Sequence, residues 1–245
     1  AAKHRIFRGA KVAAINDDDP LTNALVDDNE RVIRYGTKTN RDLHFRLADG
    51  AIWMAESKII DTSDIALQGD HNVRNALAAC AIAYAMGAEP AGMSLALTRF
   101  SGLPHRCEHV AEDRGVVFIN DSKATNVGST LAAIEGIGAS GRLIVLLGGV
   151  GKGQSFEALR EPVNRRAKAV IVFGAAADEL AGLGFEPPVH RADDLGQALA
   201  IARSEASSGD TVLLSPACAS FDQFQNYVER GETYCKLIRQ GGMAA

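Results

Sequence analysis

Five short strings hold the residues of this chain whose types and spacing can do chemistry. In Thr211-Val212-Leu213-Leu214-Ser215-Pro216-Ala217-Cys218-Ala219-Ser220-Phe221-Asp222-Gln223-Phe224 the first four residues read as a buried parallel strand. The small residues and the proline after it let backbone N–H groups come close to a ligand. Ser220 then reads as the opening of a helix, with Gln223 three positions on in a capping-box pattern. A strand end feeding a helix N-terminus is where open α/β sheets bind anions. Ile119-Asn120-Asp121-Ser122-Lys123-Ala124-Thr125-Asn126 has the same character. There Asp121 can accept hydrogen bonds from ribose hydroxyls, and Lys123 and Thr125 can meet phosphate or carboxylate oxygens. A solvated turn before a capped helix is the plainer alternative.

Leu146-Leu147-Gly148-Gly149-Val150-Gly151-Lys152-Gly153 invites a phosphate-loop reading, which fails. A Walker A loop needs Gly where position 146 has Leu, and Ser or Thr where position 153 has Gly. In Gly102-Leu103-Pro104-His105-Arg106 the planar fork of Arg106 suits phosphate, and His105 either supports it or is structural. Gly69-Asp70-His71-Asn72-Val73-Arg74-Asn75 leads into a helix. Asn72 and Asn75 then share a face on which two amides match the donor and acceptor edge of adenine, although N-capping by Asn72 would explain half of this.

The bulk properties fit these readings. A chain of 245 residues holds one large or two modest domains, and 47% apolar with 23% charged residues is the balance of a soluble globular protein. A net charge of −4 leaves no basic surplus, which argues against nucleic acid as a partner. The longest apolar run, Ala76 to Met86, is too short for a membrane span. Ala1-Ala2-Lys3-His4-Arg5 has no apolar region behind it and is not a signal peptide; without an initiator Met, the chain reads as beginning inside a longer protein. Cys80, Cys107, Cys218 and Cys235 have no framework spacing, which suits a reducing cytoplasm. His105 and His109 stand four apart, but the preceding Pro104 and the strand-like alternation of Glu108 to Glu112 argue against a helical metal pair.

The first hundred residues mix short strands, Lys11 to Ile15, Val32 to Tyr35, Leu43 to Leu47 and Ala51 to Met54, with an Asp49-Gly50 hairpin signal between the last two. Two helices follow, Asn72 to Met86 ending at Gly87, and a second from Pro90 to about Phe100. Ser101-Gly102-Leu103-Pro104 is the linker candidate. Beyond it, strands Gly115 to Asn120, Leu143 to Leu147, Ala169 to Phe173 and Thr211 to Leu214 alternate with helices. The helices are Asn126 to Ile134, a short one after the glycine loop, Ala176 to Leu183, Asp194 to Ala206 and a closing one from Phe221 to about Arg239. That alternation predicts an α/β fold with a Rossmann-like, doubly wound parallel sheet.

Taken together and in their order along the chain, the strings resemble the Mur ligase family, and within it the ligases that add D-glutamate to UDP-N-acetylmuramoyl-L-alanine in peptidoglycan synthesis. The resemblance covers essentially all 245 residues, most strongly Gly69 to Thr130 and Thr211 to Tyr227. It implies that residues 1–102 are the C-terminal part of a central ATPase domain and 103–245 an amino-acid-binding domain, with the UDP-binding domain and the P-loop of complete members not among these residues. It further implies a cytoplasmic, monomeric enzyme using ATP and Mg2+, with an acyl-phosphate intermediate. Asn72 and Asn75 then correspond to the adenine contacts, Arg106 to a phosphate contact, and Asp121 to a nucleotide contact. Lys3 corresponds to the carbamylated lysine that helps hold magnesium, and Lys3, Arg106 and Lys123 form the catalytic set. Thr125, Lys152, Ser220, Phe221 and Tyr227 line the substrate, with Lys152 on the side-chain carboxylate of D-glutamate and the Ser220 segment on its α-carboxylate. The family often has an acidic or bulkier polar residue where this chain has Val150. A sister ligase for a diamino acid or L-lysine would need a different string at Ser215 to Phe224, and the strings of folate polyglutamate ligases are not apparent. From another class, the missing Walker A loop keeps open a non-catalytic binding fragment, and the chain alone is expected to be inactive.

Overall fold

The computed structural model describes residues 9–23, 31–37, 43–67, 69–137 and 141–241, and it divides into two units, Ala1–Ser101 and Gly102–Ala245. In the first unit β1 (Val12–Asn16) leads through the short α1 (Pro20–Asn23) to β2 (Arg31–Gly36), then β3 (Phe45–Ala48), β4 (Ala51–Met54) and β5 (Ser57–Asp61). They form one sheet in chain order, parallel from β1 to β3 and antiparallel from β3 to β5. Ala48 pairs with Ala51, and Asp49 and Gly50 take φ of 49° and 70°, the two positive values that a tight hairpin turn needs. The sheet buries Ile33, Phe45, Ile52 and Ile60 against Leu77 and Ala81 of α2 (Asp70–Ala85) and Met93 of α3 (Pro90–Arg99).

Helix α2 ends as its sequence demands. Gly87 takes φ 89°, its N–H donates to the Tyr84 carbonyl, and Ala88 N–H reaches back to Ala83, so the last carbonyls are capped. Pro90 fits the first turn of α3, where its missing N–H costs nothing. The start of α2 corrects the N-cap reading of Asn72. Gly69 holds the cap position at φ 105°, and Asn72 N–H already bonds the Gly69 carbonyl inside the first turn.

The second unit is a six-stranded sheet in the order β10-β9-β8-β11-β7-β6. Its elements in chain order are β6 (Glu108–Asp113), β7 (Val116–Asn120), α4 (Val127–Gly136), β8 (Leu143–Gly148), α5 (Arg160–Arg166), β9 (Ala167–Phe173), α6 (Ala177–Ala181), β10 (Val189–Ala192), α7 (Leu195–Glu205), β11 (Thr211–Leu214) and α8 (Tyr227–Gly241). β6 is antiparallel to β7 across the Arg114-Gly115 turn, and the other five strands are parallel. From β7 the chain passes over to β8, moves outward through β9 to β10, and returns to insert β11 between β8 and β7.

The central strand β8 is buried along its whole length, because helices cover both faces. Leu143, Val145 and Leu147 point to the layer with Ile134, Val163 and Leu180, while Ile144 and Leu146 point to Leu199, Ala202, Tyr234 and Ile238. The sequence reading missed β5 and β10. Val189-His190-Arg191-Ala192 is an edge strand with half-buried or exposed polar residues, so it lacks the apolar run that marks an inner strand.

The closing helix begins at Tyr227, six residues after Phe221 and seven after Ser220, where the sequence suggests its start. One turn closes on the Ser220 carbonyl, which accepts from Phe224 N–H at 2.8 Å. The next polar side chains then bond elsewhere: Asp222 accepts from Ala175 N–H at 2.8 Å, and the Gln223 amide donates to the Asp193 carbonyl at 2.7 Å. Asn226 supplies the real cap, its Oδ1 accepting from Val228 and Glu229 N–H at 2.9 and 3.0 Å.

Candidate functional site

Strands β7, β11 and β8 are neighbours and parallel, so the loops at their carboxyl ends share one edge of the sheet. The β7 loop begins with Asp121, whose N–H donates to the Leu214 carbonyl at 2.8 Å and so prolongs the pairing with β11. Asp121 is only 6% exposed. Its Oδ2 accepts from the Ser215 hydroxyl at 2.7 Å and its Oδ1 from Cys107 N–H at 3.2 Å. The Thr130 hydroxyl of α4 donates to the Ser215 carbonyl at 3.1 Å, so this helix also holds the β11 loop. Burial raises the Asp121 pKa to about 6, against the opposing pull of these bonds and of nearby Arg106. Lys123 lies with its Nζ 4.0 Å from the centre of the Tyr227 ring, a cation–π contact that fixes its direction.

The segment before β6 is stitched to the same loop. Lys123 N–H donates to the His105 carbonyl at 3.0 Å, and Cys107 N–H to Asp121, so exposed Arg106 stands beside the Asp121–Lys123 turn. His105 and Cys107 hold φ of 65° and 45°, a cost that these bonds offset. The ring of His105 does not point out with Arg106. It is buried, its Nδ1 accepting from the Asn120 amide at 2.9 Å, with its ring edge toward Tyr227. A Cβ at Gly231 would lie 2.2 Å from His105 Nδ1, so glycine is required where α8 passes the ring. His105 therefore holds the segment against α8.

The loop after β8 is shaped by close backbone approach. A Cβ at Gly149 would lie 2.1 Å from the Ala219 carbonyl oxygen, and its φ of 121° excludes other residues as well. Val150 and Ala219 exchange both backbone hydrogen bonds, at 2.8 and 3.0 Å, tying this loop to the β11 loop. Lys152 follows, exposed, at φ 54°. In the β11 loop every residue from Ser215 to Ser220 is buried. Phe221, at 71% exposure, stands out beside Ser220 as an uncovered aromatic.

One organising residue escaped sequence reading. Arg230 of α8 is fully buried, and its guanidinium donates to Ser122 Oγ at 3.0 Å, the Ser122 carbonyl at 2.9 Å, the Cys218 carbonyl at 3.1 Å and the Gly148 carbonyl at 3.4 Å. It thus clasps the ends of all three loops. All four partners are neutral oxygens, and burial lowers its pKa to about 10. The available signal was its position: Arg230, Tyr234 and Ile238 recur at helical spacing on the face of α8 that is buried.

The second unit thus brings Arg106, Asp121, Lys123, Thr125, Lys152, Ser220, Phe221 and Tyr227 to one sheet edge, on the loops after β7, β8 and β11, at the start of α8 and just before β6. Asn72 and Asn75 belong to the first unit, on the first turns of α2, with Asn72 half-buried and Asn75 exposed. Lys3 lies outside the described residues.

Sheet order and site loops make the second unit a doubly wound α/β domain of the class that binds ligands at the carboxyl edge of its parallel strands. Residues 1–83 match the Mur ligase middle domain and residues 105–218 the Mur ligase, glutamate ligase domain, and the chain belongs to the Mur ligase family. Among its relatives, the UDP-N-acetylmuramoylalanine--D-glutamate ligase of Chromohalobacter salexigens is 46% identical, with 100% of this chain and 55% of the relative covered. Proteins of the same description from Pseudomonas aeruginosa and Escherichia coli are 45% and 42% identical, covering 98% and 99% of this chain and 55% of each relative. The chain thus spans about half the length of the curated relatives it matches. Two solved structures share the fold. A pseudomurein peptide ligase type C from Methanothermus fervidus has TM-score 0.74 at 18% identity, covering 97% of this chain and 58% of that one. A bifunctional folylpolyglutamate synthase/dihydrofolate synthase from Yersinia pestis has TM-score 0.70 at 16% identity, covering 96% and 55%.

Proposed function

We propose that this chain is the carboxy-terminal portion of a cytoplasmic, monomeric, ATP-dependent ligase that joins D-glutamate to UDP-N-acetylmuramoyl-L-alanine in peptidoglycan precursor synthesis. The observation that carries the reading is the convergence of Asp121, Lys123, Lys152 and Ser220 on adjacent loops in a chain 46% identical to a D-glutamate ligase. The exposed Lys152 and the buried Ser220 segment are two separate anion anchors, as a dicarboxylic amino acid requires.

In this proposal residues 1–102 complete the ATP-binding domain and 103–245 form the amino-acid domain. Asn72 and Asn75 meet adenine, Asp121 the ribose, and Arg106 and Lys123 the phosphates. Thr125, Lys152, Ser220, Phe221 and Tyr227 form the substrate surface, with Lys152 on the side-chain carboxylate. Magnesium is assigned to carbamylated Lys3, and the described residues offer no group of three or more metal-binding side chains of their own. A carboxylate is a poor electrophile, so ATP phosphorylates the L-alanine carboxylate, and the D-glutamate amine displaces phosphate from the acyl phosphate. The contribution of this unit is to hold the amine in line and to place fixed positive charge beside the reacting groups. No helix among the described residues is long and apolar enough to cross a membrane.

The test is phosphate release by the full-length protein with ATP, magnesium and both substrates. Release that depends on both substrates is expected, and the 245-residue chain by itself should give none above background. Turnover with L-lysine or a diamino acid in place of D-glutamate would overturn the assignment in favour of a sister ligase.

A further inference from the structure

Lys152 sits at the crown of a loop that ought to be loose. Gly151 and Gly153 flank it, Gly153 takes φ 69°, and a Cβ there would meet nothing within 4 Å, so that side of the loop lies open. On the upstream side the loop is pinned by the Val150–Ala219 pair. On the downstream side it is pinned by the side chain of Gln154. Its Nε2–H donates to the Ala217 carbonyl at 2.7 Å, and its Oε1 accepts from Val127 N–H at 3.1 Å. The first is in the β11 loop and the second at the first residue of α4, where backbone N–H groups have no partner within the helix.

We propose that Gln154 is a positioning residue for Lys152: its amide braces the glycine loop to the β11 loop and to α4, and so sets where the ammonium meets a carboxylate. This rests on the assignment of Lys152 to the side-chain carboxylate of D-glutamate. An amide of this length is the side chain the site calls for, because it must donate to a carbonyl and accept from an N–H with one rigid group. A carboxylate would keep the acceptor but oppose the Ala217 carbonyl, and an alkyl chain would leave both backbone groups unpaired. With both ends of the five-residue stretch Val150 to Gln154 fixed, Lys152 explores little space before it binds, and less ordering entropy opposes ligand capture.

Two measurements on Gln154→Ala and Gln154→Glu test this. In the 245-residue chain, backbone 15N order parameters at Gly151, Lys152 and Gly153 should fall toward the flexible range, below about 0.6, in Gln154→Ala, while β8 and β11 stay near 0.85. Gln154→Glu, with its shape unchanged, should give a smaller fall and guards against misfolding of the alanine variant. In the full-length ligase, Gln154→Ala should raise the KM for D-glutamate roughly three- to tenfold with the KM for ATP unchanged. In a Lys152→Ala background it should add nothing, because a residue acting through Lys152 has no separate effect. Unchanged order in both variants overturns the proposal, as does a KM effect that survives in the Lys152→Ala background. Loss of loop order with an unchanged KM for D-glutamate would instead overturn the assignment of Lys152 to D-glutamate, leaving the brace itself standing.

Discussion

Replacing Asp121 with Asn should make the second unit more stable near neutral pH and leave it unchanged in acid. Burial raises the Asp121 pKa from 3.8 to about 6, so the folded protein holds a proton that the unfolded chain has already released over that interval. The sign follows directly. Stability linked to Asp121 is fully present below about pH 4 and is lost as pH rises through about 6. The difference between about 6 and the ordinary 3.8 corresponds to about 3 kcal/mol above pH 7. Asn fits with little rearrangement. Its oxygen can accept from Cys107 N–H as Oδ1 does, and its amide can donate to Ser215 Oγ, whose proton then turns to Thr130 Oγ1, 3.1 Å away. Urea denaturation of both proteins across about pH 4 to 8 isolates the group, because other titrations cancel in the difference. The advantage of the Asp121→Asn variant should grow by about 2–3 kcal/mol over that range. A flat difference curve would refute the claim that burial without a paired cation controls this carboxylate. The same substitution in the full-length protein should weaken ATP binding, which would make Asp121 a case of stability given up for function.

Two further substitutions follow from the same geometry. Lys152→Ala in the full-length protein should raise the KM for D-glutamate roughly tenfold or more, since a charge-assisted contact is worth about 1.5–3 kcal/mol, while the KM for ATP changes little; the reverse pattern would assign the loop to the nucleotide. Arg230→Met should destabilise the 245-residue chain by roughly 1–3 kcal/mol in chemical denaturation, because the orphaned carbonyls of Ser122 and Cys218 cost about 1–3 kcal/mol each and relief of the buried charge offsets part of that sum. A neutral or stabilised Arg230→Met would show that desolvation of the guanidinium outweighs its bonds.

What the sequence determined by itself was whatever depends on neighbours a few residues away. The Asp49-Gly50 turn, the glycine stop of α2 at Gly87, the Pro90 start of α3 and the apolar strands β7, β8, β9 and β11 all follow from backbone preference and local pattern. The loop strings after β7, β8 and β11 were legible for the same reason, and a parallel sheet then puts them on one edge. Tertiary structure decided the rest. Ser220 and Gln223 match a capping box, yet the helix waits for Tyr227, because Asp222 and Gln223 find partners at Ala175 and Asp193, loops brought near only by the sheet order. Arg230 bonds Ser122 across 108 positions, Ser215 bonds Asp121 across 94, and Gln154 bonds Ala217 across 63. No local propensity encodes such pairs. A buried polar group must find a partner wherever the fold supplies one, and which partner that is exists only once β11 has been inserted between β7 and β8.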